Sequence, residues 1–205
     1  MRVVSLKQSS PERVTVCLDD GTEIRSTLAA VTELRLYTGR ELDDTALDEL
    51  RRESSRSLGR EKALELVSQR LMSIKELLQK LKDKGFDEET ANYCADWITE
   101  RGLIDEERYA AAIVRHYAAK GYGAQRVRGE LQRRGIPKEL WDAAMAEMPE
   151  QDETVDRLLR ARLRGAAPDD RAALKRATDA LLRKGYGWDE IHAAVERYRA
   201  ENEEH

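Results

Sequence analysis

The 205-residue sequence is poor in proline, cysteine and aromatic residues, and each shortage narrows the possible folds. Only four prolines occur, so long helices are possible, because proline breaks helix interiors. The two cysteines, Cys17 and Cys94, are too few for a disulfide framework, and both lie in apolar patterns typical of core residues in a reducing compartment. Aromatic residues make up 5% and charged residues 37%, so thin helical layers are expected instead of one large core.

Long hydrophobic runs are also missing. The longest obvious run, from Tyr109 to Val114, is too short to span a bilayer. The N-terminus alternates in polarity and does not form the apolar block of a signal peptide. We therefore expect a soluble, intracellular protein with no membrane partner.

Motifs for catalysis and cofactor binding are scarce. The three histidines, His116, His192 and His205, have no partner at metal-ligand spacing. The segment Gly121-Tyr-Gly123 lacks the third glycine of a dinucleotide loop and follows a predicted helix instead of a strand. The acids between Glu139 and Glu153 fit a solvated linker and helix face better than a metal cluster. The sequence thus predicts a protein that is not an enzyme, with no cofactor, metal or small-molecule substrate.

A repeated turn is the main positive feature of the sequence. A leucine, three residues, a glycine and an apolar residue occur at 81–86, 131–136 and 181–186, and a basic residue precedes each glycine. The pattern predicts a helix that ends at a left-handed glycine, because glycine alone adopts that backbone freely. Apolar residues at helical spacing follow each glycine and predict a further helix. A second match, Lys120–Gly123 with Lys184–Gly187, implies a different interval, and we interpret it as coincidence.

These patterns predict a mainly α fold of tandem three-helix repeats after a small N-terminal unit with a β-hairpin. The hairpin strands are Arg13–Leu18 and Glu23–Thr27, joined by a turn at Asp19–Thr22. Apolar residues from Val3 to Leu6 form a further edge that has to pack or pair with the hairpin. The predicted domains are residues 1–57, which hold the hairpin and helices, and the repeats 58–102, 103–149 and 150–205.

The predicted helices follow from apolar stripes and capping residues. In the N-terminal unit, helices are expected at 28–38 and from Thr45 towards Arg56, the second capped by Asp43 or Asp44. Ser73 and Glu76 form a predicted capping box, and Asp169 or Asp170 is a predicted cap in the third repeat. The repeat helices with predicted bounds are 60–71, 74–84, 88–100, 124–134, 138–147, about 170–184 and about 188–200.

The formal net charge of −4 conceals alternating charge blocks. The segment 108–138 holds eight bases and one acid, 139–153 holds six acids and no base, and 156–184 holds nine bases and four acids. Such blocks suit a partner that carries both signs of charge. The net charge disfavours indiscriminate binding to duplex DNA.

Basic helix faces in the second and third repeats are the candidate binding site. Val127 and Leu131 are predicted to face inward, which leaves the neighbouring arginines largely outward. Exposed cations neutralise phosphates, with binding that weakens steeply with salt; a solvated helix face with local salt bridges explains the pattern equally well. The candidate residues are Arg115, Lys120, Arg126, Arg128, Arg133, Arg134, Lys138, Arg157, Arg160 and Arg164.

The sequence also bears on two other ways of binding nucleic acid. Gly135 lies between two helices as in a helix-turn-helix motif, but the following helix carries Glu139, Asp142 and Glu147, which phosphates would repel. Sequence-specific operator binding is therefore disfavoured. Among the tryptophans, Trp188 follows a turn and is the best exposed candidate for stacking on bases, whereas the other two are expected in the core.

Several motifs resemble those of the RecX-type regulators of the RecA recombinase. The resemblance covers Leu64 to Met145 and extends, through the three-helix design, into the third repeat. Its motifs are Arg70-Leu-Met-Ser-Ile-Lys-Glu-Leu77, Leu81-Lys-Asp-Lys-Gly85, Gly102-Leu-Ile-Asp-Glu-Glu-Arg-Tyr109 and Gly123-Ala-Gln-Arg-Val-Arg-Gly-Glu-Leu131, continuing to Arg134-Gly135-Ile136.

The resemblance implies an elongated, curved array that binds the RecA nucleoprotein filament in its groove and inhibits ATP hydrolysis and strand exchange. It further implies contact with single- or double-stranded DNA through the filament, and a role in recombination, DNA repair and the SOS response. We expect a cytoplasmic monomer. Two alternatives stay open: a non-specific DNA-binding repeat protein without recombinase specificity, and a helical adaptor for another protein. A steep salt dependence would separate the first from the second.

Overall fold

A computed structural model describes residues 1–164, 166–167 and 170–203 of the chain. These residues form two compact units, 1–105 and 106–205. The fold is mainly helical, with one small antiparallel sheet, as the sequence predicts. No helix in the described part of the chain is both long enough and apolar enough to cross a membrane.

The first unit begins with a three-stranded antiparallel sheet in the order β1-β2-β3. Strand β1 spans Val3–Gln8, β2 spans Arg13–Leu18 and β3 spans Glu23–Thr27. The predicted hairpin is β2–β3, and the apolar N-terminal edge supplies the third strand by pairing with β2. Alternating residues of the central strand put Val14 and Val16 into the core, which stabilises a hairpin that would be marginal alone.

Two helices pack against this sheet. Helix α1 is Leu28–Glu33, shorter than predicted, and helix α2 is Asp44–Gln69, with Asp43 as its N-cap. The prediction of one helix to Arg56 and another from residue 60 is wrong, because α2 runs without interruption past the predicted domain boundary at residue 57.

Gly59 lies inside α2, although glycine usually weakens a helix interior. Its packing explains why a glycine occurs there. A Cβ atom at Gly59 would lie 2.7 Å from the Sγ atom of Cys94 and 3.2 Å from Thr90. Both residues belong to helix α4, Glu88–Glu100, which packs on α2. The glycine therefore permits two helices to approach closely, a tertiary requirement that outweighs its poor helix propensity.

Helix α3, Ile74–Asp83, completes the helical part of the first unit. The Ser73 side chain accepts a hydrogen bond of 3.1 Å from the Glu76 backbone N–H, as predicted for the N-cap. Leu77, Leu81 and Cys94 are buried between α2, α3 and α4. Burial raises the pKa of the Cys94 thiol to about 11, so this cysteine behaves as a core residue.

The second unit is entirely helical in its described residues. Its helices are α5 (Glu106–Ala119), α6 (Ala124–Arg134), α7 (Trp141–Met145), α8 (Asp152–Leu163), α9 (Arg171–Lys184) and α10 (Trp188–Glu203). The predicted helix 138–147 is instead a 3-10 turn at Lys138–Leu140 followed by the short α7. After α7 the N–H groups of Glu147 and Met148 bond to carbonyls three residues earlier, and Pro149 has no N–H that could restore the four-residue spacing of an α-helix. Asp170 caps α9, whereas Asp169 lies outside the described residues.

All three predicted glycine turns are confirmed. Gly85, Gly135 and Gly185 have φ values of +91°, +72° and +89°. In each copy, the N–H of the apolar residue after the glycine donates to the carbonyl of the leucine five positions earlier. These bonds are Phe86 to Leu81 (3.2 Å), Ile136 to Leu131 (3.0 Å) and Tyr186 to Leu181 (3.3 Å). The repeat thus encodes one helix-ending geometry three times.

The third glycine turn also receives the start of α6. The N–H groups of Gly123 and Gln125 donate to the carbonyls of Lys184 and Gly185, at 2.9 and 3.0 Å. Helix α6 has no side-chain N-cap, and carbonyls at the C-terminal end of α9 accept from two of the N–H groups at its start, so the negative end of one helix dipole meets the positive end of the other. The backbones are so close that a Cβ on Gly185 would lie 2.3 Å from the Arg126 nitrogen.

The Lys-Gly-Tyr-Gly segments interpreted as a coincidental match are in contact here. The Lys184 Nζ and the Tyr186 hydroxyl both donate to the Gly121 carbonyl, at 3.2 and 3.1 Å. The Lys184 ammonium also lies 4.9 Å from the centre of the Tyr122 ring. The contact explains no repeat interval, but it ties the second repeat to the third.

We expect Gly185→Ala to destabilise the second unit more than Gly121→Ala does. Both glycines have positive φ, so alanine costs about 1 kcal/mol of backbone strain at either position. At Gly121 the nearest atom is 3.7 Å from an added Cβ, whereas at Gly185 the Cβ would overlap backbone and add roughly 1–3 kcal/mol. Urea unfolding followed by circular dichroism measures the difference; equal losses would contradict the close-approach argument.

Candidate partner and nucleic-acid interface

All ten candidate cations lie in the second unit, on α5, α6 and α8 or in the segments beside them. Their position follows from local sequence, because buried residues on each helix leave the charged positions on the solvent side. On α6, Val127 and Leu131 are fully buried, as predicted, and Arg126 and Arg128 are exposed. On α8, Val155 and Leu159 are buried in the same way.

Six of the ten candidates are exposed cations that make no ion pair within the described part of the chain. They differ in this from the other four, which are held by carboxylates of the same unit. The six are Lys120, Arg126, Arg128, Lys138, Arg157 and Arg164. Their charges are available to a partner without breaking an internal interaction.

The other four candidates are engaged in intramolecular ion pairs. Arg115 pairs with Glu147. Arg160 makes two hydrogen bonds to Glu201, of 3.2 Å from Nε and 2.6 Å from a terminal nitrogen. Arg133 and Arg134 share the carboxylate of Glu130. Local salt bridges, the alternative explanation of the basic faces, therefore account for these four arginines.

Glu130 is the centre of the most buried of these networks, with a side chain only 6% exposed. Arg133 Nε donates to one of its oxygens at 2.9 Å, and Arg134 Nε donates to the other at 2.6 Å. The Arg134 guanidinium also contacts the Tyr109 hydroxyl and is only 23% exposed, so its predicted outward position is wrong. The spacing of three and four residues from Glu130 to the arginines is the sequence signal for this network.

The hydrogen bond from Arg133 is the main cause that lowers the pKa of Glu130 to about 2. Burial acts in the opposite direction, and the bond from Arg134 adds to the lowering. For Arg134, burial by itself would lower the pKa of the guanidinium. Its hydrogen bonds to Glu130 and Tyr109 outweigh burial and raise the pKa above the ordinary value. Glu130 therefore stays ionised and fixes both arginines.

A cleft of about 470 Å³ brings two candidates from different repeats together. Arg115, at the end of α5, and Arg157, on α8, both line it, together with Glu147 and Thr154. Only Arg157 contributes an unpaired charge, because Glu147 neutralises Arg115. The cleft is therefore weakly cationic.

Trp188 is exposed as the sequence predicts, whereas the other two tryptophans, expected in the core, are not fully buried. Trp97 and Trp141 are half-buried, and the Trp141 indole N–H donates to the Ile136 carbonyl at 3.0 Å. Trp188 is 63% exposed. No group of three His, Cys, Asp or Glu side chains in the described ranges is placed to hold a metal ion, and His205 lies outside those ranges.

The three glycine turns and the helices around them define a protein of tandem three-helix domains. Its second unit exposes cations that make no ion pair with the described residues. Models of the first, second and third three-helix domains of RecX match residues 60–96, 105–145 and 150–195. Together these matches span more than half of the chain. The chain therefore belongs to the RecX family of regulatory proteins.

Individual relatives agree with this assignment. Regulatory protein RecX of Xanthomonas axonopodis pv. citri is 36% identical over 136 residues, which cover 66% of this chain and 84% of that protein. The protein of the same name from Stenotrophomonas maltophilia is also 36% identical over 136 residues, covering 66% and 83% of the two chains.

Two solved structures share the fold. A crystal structure of regulatory protein RecX has a TM-score of 0.75 at 20% identity and covers 95% of this chain and 98% of its own. RecX from Lactobacillus salivarius has a TM-score of 0.63 at 22% identity, with coverage of 70% and 96%. At these identities the likeness concerns the fold alone.

We expect Glu130→Gln to destabilise the second unit by about 2–3 kcal/mol at neutral pH, because the charge-assisted hydrogen bonds from Arg133 and Arg134 are weakened and both arginines lose this counterion. The folded pKa of Glu130 is depressed, so its contribution is present above the unfolded value of about 4.5 and is lost as the pH falls towards about 2.

The free energy of unfolding, measured by urea titration of the wild type and Glu130→Gln across this range, tests the expectation. The difference between the two proteins should shrink as the pH falls from about 5 to about 2.5. A difference that is independent of pH would show that the carboxylate charge contributes nothing to stability.

Proposed function

We propose that this protein binds the RecA nucleoprotein filament and inhibits its ATP hydrolysis and strand exchange, thereby modulating recombination, DNA repair and the SOS response. Membership in the RecX family supports the proposal, since the relatives are named as regulatory proteins. The observation that carries it is the set of six exposed cations in the second unit without an ionic partner among the described residues.

The distribution of charge favours a composite partner over bare DNA. The six acids between Glu139 and Glu153 are all exposed, and they lie in the same unit as the unpaired cations. A surface with both signs would be repelled in part by a uniform phosphate lattice but complements a protein filament that carries DNA. The cations would meet phosphate and acidic filament surface, while the acids would meet basic side chains.

Inhibition would follow from bridging. Tandem three-helix units in the filament groove would contact neighbouring subunits and restrain the motions that turnover requires. We place this activity in the cytoplasm, with a monomer as the acting species and single- or double-stranded DNA contacted through the filament. We also propose that the chain is organised into an N-terminal unit, 1–57, and three repeats, 58–102, 103–149 and 150–205.

A titration of this protein into RecA's ATP hydrolysis on single-stranded DNA, at near-physiological salt, is the direct test. Inhibition at well below one molecule per RecA protomer would support filament binding, because competition for DNA needs stoichiometric amounts. No inhibition, with both proteins folded and active, would leave the two alternatives, a general DNA-binding protein or an adaptor. A steep fall of DNA affinity with salt would then favour the former.

Charge reversal at unpaired cations should weaken inhibition more than the same reversal at paired ones. We expect the double variant Arg126→Glu, Arg128→Glu to raise the half-inhibiting concentration and to reduce the slope of log affinity for DNA against log salt by about two. The matched control, Arg115→Glu with Arg160→Glu, changes the net charge equally at arginines already bound to carboxylates.

Arg133 and Arg134 are left unchanged in this design because they hold the buried Glu130. Circular dichroism establishes that each variant is folded. Equal inhibition by the wild type and the Arg126, Arg128 variant would rule out these cations as the contact surface.

A further inference from the structure

Trp188 is one of the two most exposed large apolar side chains in the described part of the chain, at 63%, together with Tyr37. It begins α10, directly after the third glycine turn, and it borders a shallow groove of about 230 Å³ between α9 and α10. The floor of this groove is apolar and belongs to the core of the unit, because Leu174, Ile191 and Val195 are buried. The exposed indole of Trp188 therefore lies at the edge of a groove whose floor is part of the packed core.

The ionisable side chains that line this groove, among the described residues, are all basic. Lys175, His192 and Arg199 line it, and none of the described carboxylates does. This is notable in a chain with 40 acidic residues and a net charge of −4. Lys175 makes no ion pair with any described residue. Arg199 pairs with Glu196 at 3.0 Å, but both side chains are about half exposed, and such surface pairs exchange readily for another anion.

A larger groove in the first unit gives a useful contrast. It has a volume of about 740 Å³ and contains the exposed Leu28 and the half-buried Trp97. Three acids, Glu12, Glu33 and Glu61, line it, so an anionic ligand would be repelled. An exposed indole beside a groove lined by basic side chains is thus a property of the α9–α10 groove and not of every apolar groove in the described part of the chain.

We infer that the α9–α10 groove binds single-stranded nucleic acid, with a nucleobase stacked on Trp188 and the adjoining phosphates near Lys175 and Arg199. Stacking of bases on aromatic side chains, supported by cations along the backbone, is the general physical basis of single-strand binding. A base in a duplex is already stacked on its neighbours, so the indole selects the single-stranded form. The inference rests on the proposed function only in taking DNA as a partner, and it names the form of DNA that the second unit meets.

The test uses the full-length protein and a short fluorescently labelled oligothymidylate in the absence of RecA, with affinity measured by fluorescence anisotropy. We expect Trp188→Ala to weaken binding roughly 5- to 150-fold, the range of losses when a base-stacking aromatic is removed. Trp188→Phe should retain most of the affinity, because phenylalanine keeps an aromatic face. Tyr37→Ala, which removes an equally exposed aromatic from the first unit, should bind as the wild type does.

Two further readouts separate stacking from a loss of structure. Unlabelled oligothymidylate should quench the intrinsic tryptophan fluorescence of the wild type but not of Trp188→Phe, since Trp97 and Trp141 are half-buried. Lys175→Gln should reduce the slope of log affinity against log salt by about 0.7, the value for one phosphate contact in a single strand.

The outcomes are distinct. Unchanged oligonucleotide affinity in Trp188→Ala, or no binding by the wild type, would overturn the inference. Unchanged affinity together with lost inhibition of RecA would also overturn it and would assign Trp188 to a protein contact. Weakened oligonucleotide binding in Trp188→Ala supports the inference even if the wild type does not inhibit RecA, in which case the proposed function alone fails.

Discussion

The end of a helix at a left-handed glycine is the constraint on which the rest of this protein depends. A helix leaves its last carbonyl groups unsatisfied, and a side chain at the next position resists the backbone angles that would satisfy them. Gly85, Gly135 and Gly185 remove that obstacle, and the following N–H bonds back to a buried leucine carbonyl. At each turn the chain folds back, so that the helix before the glycine packs on the helix after it. The short helices thereby contribute to a thin local core.

The same turn acquires a second purpose in the helical unit. The carbonyls of Lys184 and Gly185 accept from the first N–H groups of α6, which has no side-chain cap of its own. Gly123 and Gly185, distant in sequence but in contact in space, permit the two backbones to approach closely. One helix terminus thereby satisfies the other, and the second and third repeats are joined through main-chain atoms that are insensitive to side-chain chemistry.

Thin cores leave most charged residues at the surface, and their consequences depend on pairing. Glu130 is nearly buried and binds Arg133 and Arg134, so these two cations stabilise the fold. Arg126 and Arg128, on the same helix, have no such counterion in the described residues. Two pairs of arginines that look alike in sequence thus have different physical roles, one internal and one available to a partner.

Local sequence was enough to predict the helical class, the glycine turns, the hairpin and the exposed position of Trp188, because apolar periodicity, glycine and capping residues act over a few positions of the chain. Tertiary structure alone decided the continuity of α2 through Gly59, where Cys94 of another helix requires the missing side chain. It also decided which arginines find a carboxylate: Glu147 and Glu201 lie 32 and 41 positions from their partners, Arg115 and Arg160. Ion pairing between residues so far apart in sequence depends on which helices pack together, and local sequence patterns do not determine that packing.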